Sequence, residues 1–413
     1  HFCEKSAHTI ILPSGLNSGG SVPRDDFSKF VNKILTKTLK IRDYQLDAFS
    51  HAINHRRCIL LSPTASGKSL IIYCIIRMMT TLGKKSLLVV PTTSLVEQMY
   101  KDFIDYSWDA EAHVQRKYYG YDIDEAKPVV VSTWQSLSTF DKKWFEKFDC
   151  VIGDEAHLYK SKELQKIMGN LVNANFRIGT TGTLDDSKVH KLVLEGLFGP
   201  VTNVTTTREL IDKKQLADLK IQCVVLKYPK EDCQQVKGLK YQEEMDYIVS
   251  HQKRNKFIHN LAKEQKGNTL VLFQYVDKHG RMLYDSIKEL NRKVFFVFGG
   301  TDTNDREEIR SITENESNAI IVASYGTFST GINIRNLHNV IFASPTKSKI
   351  RVLQSLGRGL RLGDSKSKAT LYDIADDLSW KEKKNFTLNH FMERVGFYTE
   401  QEFDYEIHNV DMI

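Results

Sequence analysis

Between the apolar stretches "ILL" and "LIIYC" the chain carries Ser62-Pro63-Thr64-Ala65-Ser66-Gly67-Lys68-Ser69, a lysine and several hydroxyls confined to one tight turn. A strand that turns directly into a helix leaves backbone N–H groups unpaired and aims the positive end of the helix dipole outward, which suits an anion. The octapeptide fits the phosphate-loop pattern G-x-x-x-x-G-K-S/T except at its first position, where Ser62 stands in place of glycine. In that pattern Thr64, Ala65, Ser66 and Gly67 bring the backbone to the phosphates. Lys68 neutralises β and γ oxygens, and Ser69 ligates Mg²⁺. The alternative is an ordinary strand-turn-helix with a surface lysine.

Further along, the apolar run "DCVI" ends in Gly153-Asp154-Glu155-Ala156-His157. Carboxylates at the end of a strand in an α/β sheet project into the crevice where ligands bind. Asp154 is placed to hold Mg²⁺, and Glu155 to orient or deprotonate an attacking water. Alone, such a pair is a surface turn; downstream of a phosphate loop it suggests nucleotide hydrolysis.

The elements that would position these groups are legible as an alternation. Short β-rich runs, "CILLS", "SLLVVP", "PVVVST", "DCVIGD" and "FRIGTT", are separated by longer segments of helical character. Their continuous apolarity predicts parallel strands covered on both faces. A second series follows: "IQCVVLKY", "NTLVLFQY", "KVFFVFGG", "AIIVASYG", "NVIFASP" and "ATLYDIAD". Two doubly wound α/β domains are expected, with the boundary near Thr207 after a Gly-Pro turn and a Thr run. The expected divisions are an accessory segment and linker over 1–37, a first domain over 38–206, and a second over 207–413 with a helical tail.

A chain of 413 residues exceeds the usual single core, in keeping with two domains. Hydrophobic residues at 41% and charged residues at 26% are the values of a globular protein, and no apolar run reaches the length of a membrane span. The excess of 58 Lys and Arg over 51 Asp and Glu permits nucleic-acid binding without requiring it. Six scattered cysteines contain no C-x-x-C pair, so buried free thiols in a reducing cytoplasm are expected rather than a zinc site or disulfides. The chain opens at His1 without methionine, so further residues are expected to precede it.

At this point the motifs resemble, in order, those of the superfamily two helicases and translocases of DEAH type. "RDYQLDAF" looks like the upstream adenine-reading element, "VVPTTSLVEQM" and "STWQSL" like strand-contacting motifs, and "TTGT" like the coupling motif. "ASYGTFSTGINI" and "QSLGRGLR" resemble the last two motifs. The phrasing around them, with the tail "LNHFMERVGFYTEQEFDYE", resembles the UvsW type of phage recombination helicase, which remodels branched DNA.

The resemblance implies two tandem RecA-like domains with an ATP cleft between them, and ATP with Mg²⁺ as cofactors. Gln354, Arg358 and Arg361 would act on the γ-phosphate from the second domain, the arginines as fingers. Gln45 would read the adenine edge with Arg42 and Tyr44 beside it. His157, Thr181, Thr183, Gly331 and Asn333 would couple nucleotide state to the grip. The grip itself would use Thr92, Thr93, Trp134, Gln135, Thr327 and Thr330 on the nucleic-acid backbone, with Trp134 equally readable as core. The expected partner is single-stranded, forked or four-way DNA, with no membrane and a location in the cytoplasm. Three alternatives stay open: a DEAH-type RNA helicase, the motor subunit of a restriction enzyme, and a nucleic-acid clamp without turnover.

Overall fold

The computed structural model describes residues 21–36, 38–118, 126–184, 187–327, 334, 336–348 and 368–412, with 303 and 304 by backbone alone. The chain divides into two compact units, His1–Thr206 and Thr207–Ile413. Each is built on a seven-stranded sheet whose neighbouring strands are all parallel.

In the first unit the strands are β1 (Arg57–Leu61), β2 (Ser86–Val90), β3 (Val114–Lys117), β4 (Val129–Thr133), β5 (Cys150–Asp154), β6 (Phe176–Thr181) and β7 (Val201–Asn203). Their spatial order is β3-β4-β2-β5-β6-β1-β7. β6 therefore lies between the strand that feeds the phosphate loop and the strand that ends in Asp154. The register sets Leu61 opposite Thr181 and Asp154 opposite Thr180. The candidate residues are thus gathered at one edge of the sheet, where an open α/β fold binds ligands.

Helix α1 (Arg24–Ile34) buries Phe27, Val31 and Ile34, one face at helical spacing, and Phe27 meets Phe49 edge-on at 5.0 Å. Part of the segment expected to be accessory thus belongs to the first unit's core. Phe49 lies on α2 (Asp43–His55). Helix α3 (Lys68–Thr81) is apolar on nearly every side and is buried from Leu70 to Ile76, which makes it the central helix of this core. Helix α4 (Thr93–Asp105) presents Val96, Met99 and Phe103 to the same core, and the Thr92 hydroxyl accepts from Leu95 N–H to cap it.

The second sheet contains β8 (Asp218–Lys227), β9 (Thr269–Phe273), β10 (Val294–Val297), β11 (Ile320–Ser324), β12 (Asn339–Phe342), β13 (Lys368–Asp377) and β14 (Tyr405–Asp411), ordered β10-β11-β9-β12-β13-β8-β14. Two buried arginines flank β13. Arg254 clasps Asp376 at 2.7 and 3.1 Å and donates to Ala343 O, while Arg394 clasps Asp373 at 2.7 and 2.8 Å and donates to Thr346 O.

The tail contains the expected helix and adds a strand after it. Helix Phe386–Glu400 is followed by β14, a strand that pairs in parallel with β8. Glu244, buried on a neighbouring helix, fixes the start of that tail helix by accepting from the Phe386 and Thr387 amides and the Thr387 hydroxyl. The five described cysteines are free and buried; burial pushes the thiols of Cys58, Cys74 and Cys150 up to about 12. No described helix is long and apolar enough to cross a membrane.

Candidate functional site

The loop after β1 is shaped by two left-handed residues, Ala65 at φ 68° and Gly67 at φ 81°. Glycine is required at the second of these: a Cβ on Gly67 would fall 2.4 Å from Gln45 Nε2. Ser62, where the phosphate-loop pattern has glycine, keeps a negative φ. Its buried hydroxyl lies 2.6 Å from Ser66 Oγ, and Ser66 donates onward to Pro63 O at 2.6 Å. Because the Ser66 proton is committed to Pro63, Ser62 donates to Ser66. The serine braces the loop, so the departure from the pattern leaves the turn intact. Ser62 N–H donates to Thr181 O at 2.9 Å, which docks the loop on β6.

Lys68 opens α3, and its Nζ lies 3.3 Å from Ser62 O. The "TTGT" turn sits beside it: a Cβ on Gly182 would lie 3.4 Å from Thr64 Oγ1 and 3.6 Å from Lys68 Nζ. Among the described residues no carboxylate lies within ion-pair distance of Lys68. A half-buried ammonium held only by a carbonyl can take an anion. The next residue, Ser69, places its hydroxyl 2.9 Å from the Tyr106 hydroxyl. No local pattern marks Tyr106, because the two residues are far apart in sequence.

Asp154 ends β5, is buried, and accepts from Thr180 Oγ1 at 2.8 Å. Burial raises its carboxyl above the usual carboxylate range and the neighbouring Glu155 raises it further, against the Lys68 charge and the Thr180 bond. Such a carboxylate gains from a cation. Glu155 adopts φ 51°, left-handed for a residue with a Cβ, and this carries a strain of about 1–2 kcal/mol. The bend swings the chain into the short 3-10 turn Ala156–Lys160. There His157 Nδ1 lies 2.9 Å from Thr181 Oγ1 and 3.3 Å from Glu155 Oε2. Thr181 donates to Thr183 O at 2.8 Å, so Nδ1 carries the proton that Thr181 accepts. Among the described residues the buried Thr183 hydroxyl has no hydrogen-bond partner.

The upstream element is turned inward. Tyr44 Oη and Gln45 Nε2 both donate to Ser66 O, at 2.7 and 2.9 Å; Arg42 Nη1 donates to Tyr44 Oη at 2.9 Å, and Gln45 Oε1 accepts from Arg42 N–H. These residues brace the phosphate loop from behind, and Gln45 keeps one further Oε1 lone pair beyond the bonds it makes here.

The strand-contact candidates divide. Thr93 and Gln135 are exposed, Thr92 caps α4, and Trp134 packs against the apolar cluster of Leu137, Phe145 and Phe148 on the core side. In the second unit Thr327 is buried with its hydroxyl 2.8 Å from Ser324 Oγ, a brace at the end of β11. Thr330, Gly331, Asn333, Gln354, Arg358 and Arg361 lie outside the described residues.

The groups brought together fit a magnesium-bound nucleoside triphosphate: a turn of left-handed residues at a helix start, an ammonium with no close ion pair among the described residues, and a buried carboxyl raised by burial and by its acidic neighbour.

Comparison with known proteins points the same way. Residues 38–186 match the family model described as type III restriction enzyme, res subunit, and residues 252–363 match the helicase conserved C-terminal domain. The chain is 36% identical to the ATP-dependent DNA helicase uvsW of Enterobacteria phage T4 over 433 aligned positions, covering 100% of this chain and 86% of that protein. It is 25% identical to the DNA 3'-5' translocase XPB2 of Sulfurisphaera tokodaii, covering 81% of each. The structure of Dbp5 from S. cerevisiae bound to RNA and ADP BeF3 aligns over 95% of this chain and 94% of its own, with a TM-score of 0.61 at 14% identity, a likeness of fold.

Proposed function

The chain belongs to the superfamily two helicases of the UvsW type, and from that premise we propose that it is an ATP-dependent DNA helicase or translocase that unwinds or branch-migrates forked and four-way DNA. The observation that carries this reading is the convergence of Lys68, Asp154 and Glu155 at one edge of the first sheet, with the Thr180-Thr181 strand end between them.

In this reading Lys68 and the amides of Thr64 to Gly67 hold the phosphates, and Ser69 and Asp154 hold Mg²⁺, which supplies charge neutralisation at the transferring phosphoryl group when bound. Glu155 orients and deprotonates the attacking water. Its backbone strain is consistent with a side chain aimed by its surroundings rather than by local preference. His157 Nδ1 faces both Glu155 Oε2 and Thr181 Oγ1, so a displacement of Glu155 by nucleotide would be felt at the "TTGT" turn. The resemblance assigns the γ-phosphate arginines to Arg358 and Arg361. Exposed Thr93 and Gln135 are the first-unit groups we propose for the nucleic-acid backbone, contacts that position without reading sequence.

The test is Glu155→Gln. Turnover should fall at least about 100-fold, since a positioned base contributes that order of rate, while ATP-dependent binding to forked DNA persists. Hydrolysis at the parent rate would remove Glu155 from the role of base.

A further inference from the structure

We propose that Tyr106 is a positioning residue for Ser69, holding the serine hydroxyl in the orientation from which it ligates the nucleotide-bound cation. The inference rests on the nucleotide-site reading above and deepens it.

Ser69 is the second residue of α3, and a serine near a helix start has several staggered hydroxyl orientations and competing backbone acceptors. One orientation leaves a lone pair free for a cation. In this structure the Ser69 hydroxyl is engaged by Tyr106 Oη at 2.9 Å. If Ser69 is the donor, both of its lone pairs remain available to a metal, and its proton has a partner that does not compete for the site.

Tyr106 is itself fixed at three points. Its amide donates to Asp102 O, which closes α4. Its carbonyl lies 3.1 Å from the Tyr73 hydroxyl, and its ring meets the Tyr73 ring edge-on at 5.2 Å. Tyr73 is in turn held through its hydroxyl by Arg77 at 2.7 Å. The phenol thus arrives at Ser69 from a packed scaffold rather than from a mobile loop. A partner that orients a metal ligand without touching the metal raises affinity for the cation and leaves the remainder of the nucleotide contacts alone.

The test is Tyr106→Phe, which keeps the ring and its packing and removes only the hydroxyl. Binding of a fluorescent non-hydrolysable ATP analogue would be titrated with Mg²⁺ and repeated in chelator, for the parent, Tyr106→Phe, Ser69→Ala and the double variant. The Mg²⁺ concentration for half-maximal binding should rise about three- to tenfold in Tyr106→Phe, the size of one lost neutral hydrogen bond. Affinity in chelator should stay at the parent value. In the Ser69→Ala background the same change should have no further effect, because the group it positions is gone. An unaltered Mg²⁺ requirement in Tyr106→Phe would overturn the inference, as would an equal shift with and without Ser69. If the parent bound the analogue no better than Lys68→Ala, the nucleotide-site reading itself would fall, which the other outcomes leave standing.

Discussion

The two units share one architecture and use buried polar groups in opposite ways. In the second, charges are matched: Asp376 receives Arg254 and Tyr228, Asp373 receives Arg394 and Tyr398, and Glu244 receives three donors from the start of the tail helix and a fourth from Asn385. At the edge of the first sheet the groups are under-compensated. Among the described residues Lys68 has a carbonyl as its hydrogen-bond partner and no close ion pair, Asp154 has its carboxyl raised by burial, and the buried Thr183 hydroxyl has no hydrogen-bond partner. A satisfied buried network fixes a scaffold, whereas groups left short of partners are ready for a ligand. The difference supports the proposal that chemistry takes place at the strand ends of the first sheet, with the second unit's interior as a strut.

Breaking one of the matched pairs should therefore have the largest effect on folding. Arg394→Leu leaves Asp373 buried without its partner and should cost the second unit about 3–5 kcal/mol, read as a drop in its calorimetric transition. Lys68→Ala, by contrast, should cost the first unit no more than about 1 kcal/mol, because Lys68 makes no close ion pair among the described residues and eases the buried Asp154 carboxylate only from a distance. Equal losses in the two variants would erase the comparison.

Acid should act on the second unit next. His279 is fully buried, with Nδ1 2.8 Å from Ser344 Oγ and Nε2 3.1 Å from Asn255 Oδ1, and burial followed by the Arg254 charge lowers its ionisation to about 3. The unfolded chain binds this proton near pH 6.5, so the contribution is complete above that value and is lost as pH falls toward about 3. Between pH 7.5 and 5 the loss is about 2 kcal/mol. His279→Gln should flatten that part of the pH dependence measured by denaturant titration; an unchanged slope would assign the acid sensitivity to other groups.

The smallest effect sharpens the first side of the comparison. Ala65 holds a left-handed backbone that glycine adopts freely, so Ala65→Gly should stabilise the first unit by about 0.5–1 kcal/mol. A loss of stability would mean that the methyl group makes a contact worth more than the strain it causes.

The eleven strands that announce themselves as apolar runs are all present; ten are interior parallel strands, covered on both faces and so carrying an uninterrupted signal, and the eleventh, β10, is an apolar edge strand. The three without such a signal, β3, β7 and β14, are edge strands. β14, "YEIHNVD", is mostly exposed and is held by backbone pairing to β8, so its sequence carries little apolar pattern to detect. The turn between β1 and α3 and the acidic end of β5 were legible because their signal is local, carried by neighbouring residue types. Tyr106 was not, because its contact with Ser69 exists only after α3 and α4 pack. The inward turn of Tyr44 and Gln45 onto Ser66 is likewise a product of packing.

Steady-state ATP hydrolysis, measured with single-stranded DNA, duplex DNA, a four-way junction and single-stranded RNA, and with Lys68→Ala as control, tests the central claim most directly. Hydrolysis that is stimulated most by branched or single-stranded DNA and abolished in Lys68→Ala is the predicted result. Stimulation by RNA alone, or hydrolysis unchanged in Lys68→Ala, would contradict it.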